Sequence, residues 1–204
     1  MGGRVVAQAG SPTKADVIAR ICEALAANDV PQAKEIANAE YPFKPGTAAS
    51  RKYSKRQQLE LFRRDCFIDR YSGQKLLFPG ALRLLYRLLP DQFPLHANWK
   101  MTGTHMAWWE LFPTPDHVSP AARGGTDDLE NWITTSMLRN AAKAHWTLEE
   151  LGWPPPSPPP SGSWDGLMRW TLDFCDAHPE HLSDRYLFGW YRAARSLLKQ
   201  DRAP

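Results

Sequence analysis

Cysteine is scarce in this chain: Cys22, Cys66 and Cys175 lie far apart and are odd in number. That excludes a disulfide framework and a four-cysteine zinc site. It fits a reducing compartment, so a cytoplasmic location is the expectation. Long hydrophobic runs are also missing. No stretch approaches about 18 apolar residues, and no membrane span is expected. The opening residues, MGGRVVAQAGSPTKAD, have no apolar core of a secretory signal. Val6 stands where the myristoylation pattern that begins at Gly2 needs Ser or Thr. Charge of one sign is weak as well. A formal net charge of +3 does not by itself argue for nucleic acid, so any such argument must come from local clusters. No internal repeat is visible.

Tryptophan and proline are plentiful, at nine and eighteen of 204 residues. Trp can anchor cores built from short elements, and Pro implies much irregular structure. With 43% hydrophobic residues the chain can bury a real core, as one domain with additions or as two small ones.

In chain order, residues 1–11 read as a disordered tail. Residues 12–45 read as an N-terminal helical hairpin. Val17, Ile18, Ile21, Cys22, Leu25 and Ala26 form a stripe at helical spacing after the capping candidates Ser11 and Thr13. Pro31 opens the second helix. Neither helix carries a basic face, which favours a structural appendage over a docking module. Residues 46–153 read as the core, introduced by the densest basic segment: Arg51, Lys52, Lys55, Arg56, Arg63 and Arg64, on a helix with Leu59, Leu61 and Phe62 along one side. Such a run suits phosphate contact, although a solvated charged face is its commoner meaning. Residues 67–78 read as a hairpin turning at Ser72 and Gly73. Residues 90–115, with Trp99, Trp108, Trp109 and Phe112, read as an ordered insertion covering the region downstream. Residues 154–162 form a proline-rich spacer. Residues 163–204 read as C-terminal helices packing on the core, with Leu167, Trp170, Leu172, Phe174, Leu187, Trp190, Tyr191 and Leu197 turned inward and Arg185, Arg192, Arg195 and Lys199 near one outer face.

The chemistry concentrates in residues 116–143, DHVSPAARGGTDDLENWITTSMLRNAAK. Phe112 to Val118 reads as a short strand after Pro115 that carries Asp116 and His117. A loop with Gly124 and Gly125 follows; the β-rich Trp132-Ile-Thr-Thr makes a second strand, and Ser136 can cap a helix through Asn140 and Lys143. A carboxylate and an amide oxygen suit a hard cation such as Mg2+, which keeps several waters. Imidazole suits proton abstraction near neutral pH. Side chains of neighbouring strand residues point to opposite faces. Asp116 and His117 can therefore share a site only if the strand bends or ends there. The Asn131 amide can bridge backbone groups across the loop and hold the His.

This segment resembles the HNH endonuclease family, the ββα-metal nucleases. The matching residues are Asp116-His117, Arg123-Gly124-Gly125, Asn131, and Asn140 with Lys143 three residues on. Arg63 to Gly73 looks like the family's lead-in. The resemblance implies an α+β protein, mostly helical, with an embedded ββα-metal (HNH) motif. It implies a metal-dependent endonuclease acting on DNA, with His117 as general base and Asn131 fixing the loop. Asp116 and Asn140 would be metal ligands, and Mg2+ or Mn2+ the cofactor. Arg123 and Lys143 join the basic segment as candidates for phosphate contact. Asn140 stands where the family usually has His, making an H-N-N variant. Asp69, Ser72, Ser136 and Arg139 stand where many relatives carry the cysteines of a structural zinc, so none is expected. The aromatic packing, or an Asp69–Arg139 contact, would take its place. Two alternatives remain: a non-catalytic nucleic-acid-binding or interaction module retaining the fold, and a nuclease acting on RNA. Oligomeric state, pathway and base preference are not legible.

Overall fold

The computed structural model describes residues 12–43, 53–158 and 161–201. Arg51, Lys52 and the 1–11 tail lie outside them. Among the described residues the architecture is α+β, mostly helical with one two-stranded antiparallel sheet. The chain divides into two compact units, residues 1–46 and 47–204. No helix is long and apolar enough to cross a membrane.

The first unit holds α1 (Lys14–Ala26) and α2 (Val30–Glu40). Thr13 and Asp16 form a reciprocal capping box at the start of α1, and the Asp29 carboxylate caps α2 through the Gln32 amide. The Arg20 guanidinium grips the Glu40 carboxylate and ties the two helices at their open end. Of the broad apolar stripe on α1 only Val17 is buried; Ile18 and Leu25 are about half exposed. Two short helices cover each other along one line, and the flanks of a wide stripe stay outside it.

The second unit runs through α3 (Lys55–Arg64), α4 (Pro79–Leu88), the single turn α5 (Ala107–Glu110), β1 (Pro113–His117), β2 (Trp132–Ser136), α6 (Met137–Lys143), the single turn α7 (Leu148–Leu151), α8 (Met168–Ala177) and α9 (Arg185–Gln200). Ser54 and Gln57 box the start of α3, whose Leu59, Leu61 and Phe62 are wholly buried. They meet Phe67, Phe78 and Ala81, with Met168 and Leu172 of α8 and Trp190, Ala194 and Leu197 of α9. Each large side chain of this kind contributes about 1.5–3 kcal/mol through burial. Trp132 of β2 joins the same cluster, so the helical core reaches the sheet.

Three expectations are corrected here. The 67–78 hairpin is reduced to a single bridge, Ile68 to Lys75, around a tight turn with Gly73 at φ 74. Trp170, expected inside, is 44% exposed. Because α8 begins at Met168, its inner face is Met168, Thr171, Leu172 and Cys175, and Trp170 falls off that face. Trp99, Trp108, Trp109 and Phe112 of the aromatic segment do not line the cleft beside Asp116 and His117. Trp108 and Phe112 pack with Leu82 of α4, Trp99 and Tyr186 into a second core of their own.

Asp184 locks α9 in place. Its carboxylate caps the helix through the Leu187 amide at 2.9 Å and accepts two hydrogen bonds from Arg83, at 2.7 and 2.9 Å. Burial alone would raise its pKa. The Arg83 and Leu187 hydrogen bonds and the Arg83 charge outweigh this and hold it below its ordinary value of 3.8. A carboxyl depressed by folding stabilises the protein above its unfolded pKa and stops doing so as pH falls through the folded one. Asp184→Ala should therefore cost about 1–3 kcal/mol at pH 7 in chemical denaturation. The gap to the parent should narrow as pH is lowered past 3.8. A gap independent of pH would contradict this account.

Candidate active site

The two strands are five residues each, with Asp116 opposite Ile133 and His117 opposite Trp132. An isolated pair of this length is marginal, so other contacts must hold it. β1 ends at His117, and Asp116 and His117 both line one cleft of about 310 Å³, although the carboxylate and the imidazole take different partners. Tyr53, Pro120, Asn140 and His145 line it too. Asp116 and His117 are 5% and 9% exposed, so both are held rather than solvated.

Asn131 braces the loop between the strands. Its Oδ1 accepts from the Ser119 amide at 2.8 Å. Its Nδ2 donates to the carbonyls of Ser119 at 2.9 Å and Thr126 at 2.8 Å. The loop closes so tightly that a Cβ on Gly125 would lie 1.8 Å from the Ser119 carbonyl oxygen, while Gly124 has φ +89. Only glycine fits the first position, and the second lies where side chains are strained.

Asp127 takes part in the site, although sequence reading passed over it. Its Oδ1 lies 2.8 Å from His117 Nε2 and accepts from Tyr53 Oη at 3.1 Å and Trp132 Nε1 at 3.2 Å. Trp132 Nε1 is also 2.9 Å from His117 Nε2, and indole nitrogen can only donate. With the proton on Nδ1, Nε2 accepts from Trp132 Nε1; with it on Nε2, the imidazole donates to Asp127 Oδ1. The second tautomer puts the basic lone pair at Nδ1. The signal available in the sequence was the acid pair Asp127-Asp128 two residues after the glycines, which reads as an ordinary polar turn.

Asp116 is more heavily engaged than expected. Its Oδ2 accepts from Tyr71 Oη at 2.7 Å and lies 3.1 Å from Lys143 Nζ; its Oδ1 lies 3.4 Å from the same nitrogen. Burial, then the Asp116 charge and hydrogen bond, push the Tyr71 phenol far above its ordinary range, so it stays a donor. Lys143 was expected at the surface as a phosphate contact. Instead it is 0% exposed and also donates to the His117 carbonyl at 2.6 Å. Lys143 shares with Asn140 the face of α6 that packs on β1, so it is turned inward, where the carboxylate compensates the buried ammonium. Asn140, one turn earlier on α6, directs its Nδ2 to Thr114 Oγ1 at 3.1 Å and the Pro115 carbonyl at 3.3 Å. With the amide nitrogen anchored on the strand, Oδ1 is the end left for a ligand, as a cation would require. Among the described residues no three His, Cys, Asp or Glu side chains cluster to hold a metal. Any ion would therefore rest on Asp116, Asn140 and water.

The four positions 69, 72, 136 and 139 come together around one buried carboxylate. Asp69 Oδ1 accepts from the amides of Tyr71 and Ser72 at 2.9 and 3.1 Å. Its Oδ2 accepts from the Ser136 amide at 2.9 Å and Thr135 Oγ1 at 3.0 Å, with Arg139 Nε at 3.7 Å. One residue fastens the 69–73 turn to the junction of β2 and α6. Asp65 works beside it, accepting from Arg64, from Arg70 at 2.8 Å and from the Thr134 amide at 2.8 Å.

Among the described residues, the basic side chains of α3 each have a partner within the protein. Lys55 sits over the rings of Tyr186 and Trp190, and Arg56 bonds Glu60 and Gln200. Arg63 pairs with Asp201. Arg64 donates to Asp65 and to the carbonyls of Leu129 and Trp132. These contacts bind α3 to α9 and to β2, because long cationic side chains beside a core find anions and carbonyls close by. Arg123 lies 3.3 Å from Glu150 and over the Trp146 ring. Arg195 pairs with Asp176.

Compared with known protein families, characterised proteins and solved structures, the chain matches none.

Asn131→Ala removes three hydrogen bonds that close the loop. The loss should cost about 1–3 kcal/mol and raise amide exchange at Ser119 by roughly tenfold or more. Unchanged Ser119 exchange in a folded Asn131→Ala protein would show that the loop is braced by other contacts.

Proposed function

We propose that this chain is an HNH-type, metal-dependent endonuclease that hydrolyses phosphodiester bonds in DNA. The observation that carries this reading is the convergence of Asp116, His117 and Asn140 on one cleft, built by β1, a glycine loop braced by Asn131, β2 and α6. The arrangement around Asp69 supports it further. The four positions that would carry zinc-binding cysteines in the resembling family are neighbours in space, and a carboxylate does the fastening.

His117 acts as general base, taking a proton from water at Nδ1 while Asp127 holds the proton on Nε2. Asn131 keeps the loop that carries this geometry closed. Asp116 and Asn140 would hold Mg2+ or Mn2+; that ion, when bound, supplies positive charge at a phosphate oxygen and the leaving oxygen. The residues fit it by donor type: one carboxylate and one anchored amide oxygen on the same cleft, leaving room for water and phosphate. The proposed partner is DNA, and the proposed setting is the cytoplasm.

A second reading, a non-catalytic nucleic-acid-binding or interaction module on the same fold, draws on the pairing of Asp116 with Lys143 and Tyr71. Cleavage separates the two. Purified protein with Mg2+ or Mn2+ should nick supercoiled plasmid, and His117→Ala should lower the rate by about 10²–10⁴. Running RNA in parallel tells the polymers apart. If no nucleic acid is cleaved with any divalent ion, or His117→Ala cleaves like the parent, the nuclease assignment is wrong.

A further inference from the structure

We propose that Lys143 neutralises Asp116 before substrate arrives, so that a divalent cation is held at this site only together with a substrate phosphate. The inference rests on the nuclease reading above and concerns the order in which its parts assemble.

Among the described residues, Asp116 is the one carboxylate lining the cleft. Its charge is already matched by an ammonium at 3.1 and 3.4 Å, and one of its oxygens is further occupied by the Tyr71 hydroxyl at 2.7 Å. Lys143 cannot swing away to make room. Its side chain is 0% exposed, and its nitrogen is fixed on the His117 carbonyl at 2.6 Å. An ion at an ordinary Mg–O distance of about 2.1 Å from Oδ1 would lie within roughly 5.5 Å of that ammonium, well inside the range of unscreened repulsion. Asp127, the nearest other acid of the site, serves His117, Tyr53 and Trp132. Asn140 adds an oxygen but no charge. The carboxylate that would hold a doubly charged ion is therefore already matched by the ammonium, and a phosphate of the substrate supplies the negative charge that Asp116 lacks.

Lys143 consequently has two roles on this account. It holds α6 to the end of β1, and it keeps divalent ions out of the empty site. In the free protein the ammonium also prevents Asp116 from being a buried, uncompensated anion.

The test is Mn2+ binding followed by electron paramagnetic resonance. The full chain carrying His117→Ala is used, so that a DNA duplex stays intact, and duplex alone is the control. The protein by itself should show no site tighter than about 1 mM, and adding duplex should create one site at least ~10-fold tighter. That site should vanish when Asp116→Asn is added. Lys143→Met, checked for folding by circular dichroism, should raise Mn2+ affinity of the DNA-free protein by roughly tenfold or more, because Asp116 then faces the cleft uncompensated. A tight Mn2+ site in the DNA-free parent overturns the inference and leaves the nuclease reading standing. So does unchanged affinity in a folded Lys143→Met protein. If Lys143→Met does not fold, the comparison with and without duplex decides alone. Absence of any protein-dependent Mn2+ site in both states overturns the nuclease reading itself.

Discussion

A wholly buried ammonium, Lys143 Nζ, joins the His117 carbonyl and the Asp116 carboxylate, and the candidate site depends on that junction. Two strands of five residues have too few ladder hydrogen bonds and too little apolar surface to persist alone. The helix that follows β2 must be pulled down onto β1, and Lys143 does so from its last turn while Asn140 does so one turn earlier. The cost of burying a cation is met by the anion beside it. Removing either partner alone leaves the other stranded in a low-dielectric interior, so the pair acts as a unit.

The same physics recurs along the seam between helices and sheet. Asp65 and Asp69, both 0% exposed, accept from the backbone amides of Thr134 and Ser136 respectively. Each also gathers donors from the segment after α3. Where a metal could cross-link such a small motif, buried carboxylates with several donors each do the same job, since every lone pair left unsatisfied there would be costly. The aromatic segment contributes differently. Trp99, Trp108 and Phe112 make a second core against α4, and that core anchors the start of β1 rather than roofing the cleft.

Function follows from placement more than from residue type. Asp116 and His117 line one cleft from the end of β1. Asp127 reaches His117 because the glycine loop folds back to bring residues 125–128 under Ser119. The basic residues of α3 are placed by the same packing: Lys55, Arg56, Arg63 and Arg64 all have partners within the protein.

The sequence alone determined the features that depend on local rules. Capping residues Thr13 and Ser136 marked helix starts, and the alternation of strand, glycine loop, strand and helix was readable in residues 116–143. Those features come from contacts within a few residues, which the chain order already contains. Only the tertiary structure decided which charges face inward. Helical spacing places Lys143 one turn after Asn140 but cannot say that Asp116, 27 residues earlier, waits to compensate it. Nor can it reveal that Tyr71 and Asp127 converge on the same strand end, or that Trp170 lies outside the α8 core face. Burial of a charge is set by the partners that distant segments bring, and those distances are fixed by packing rather than by sequence spacing.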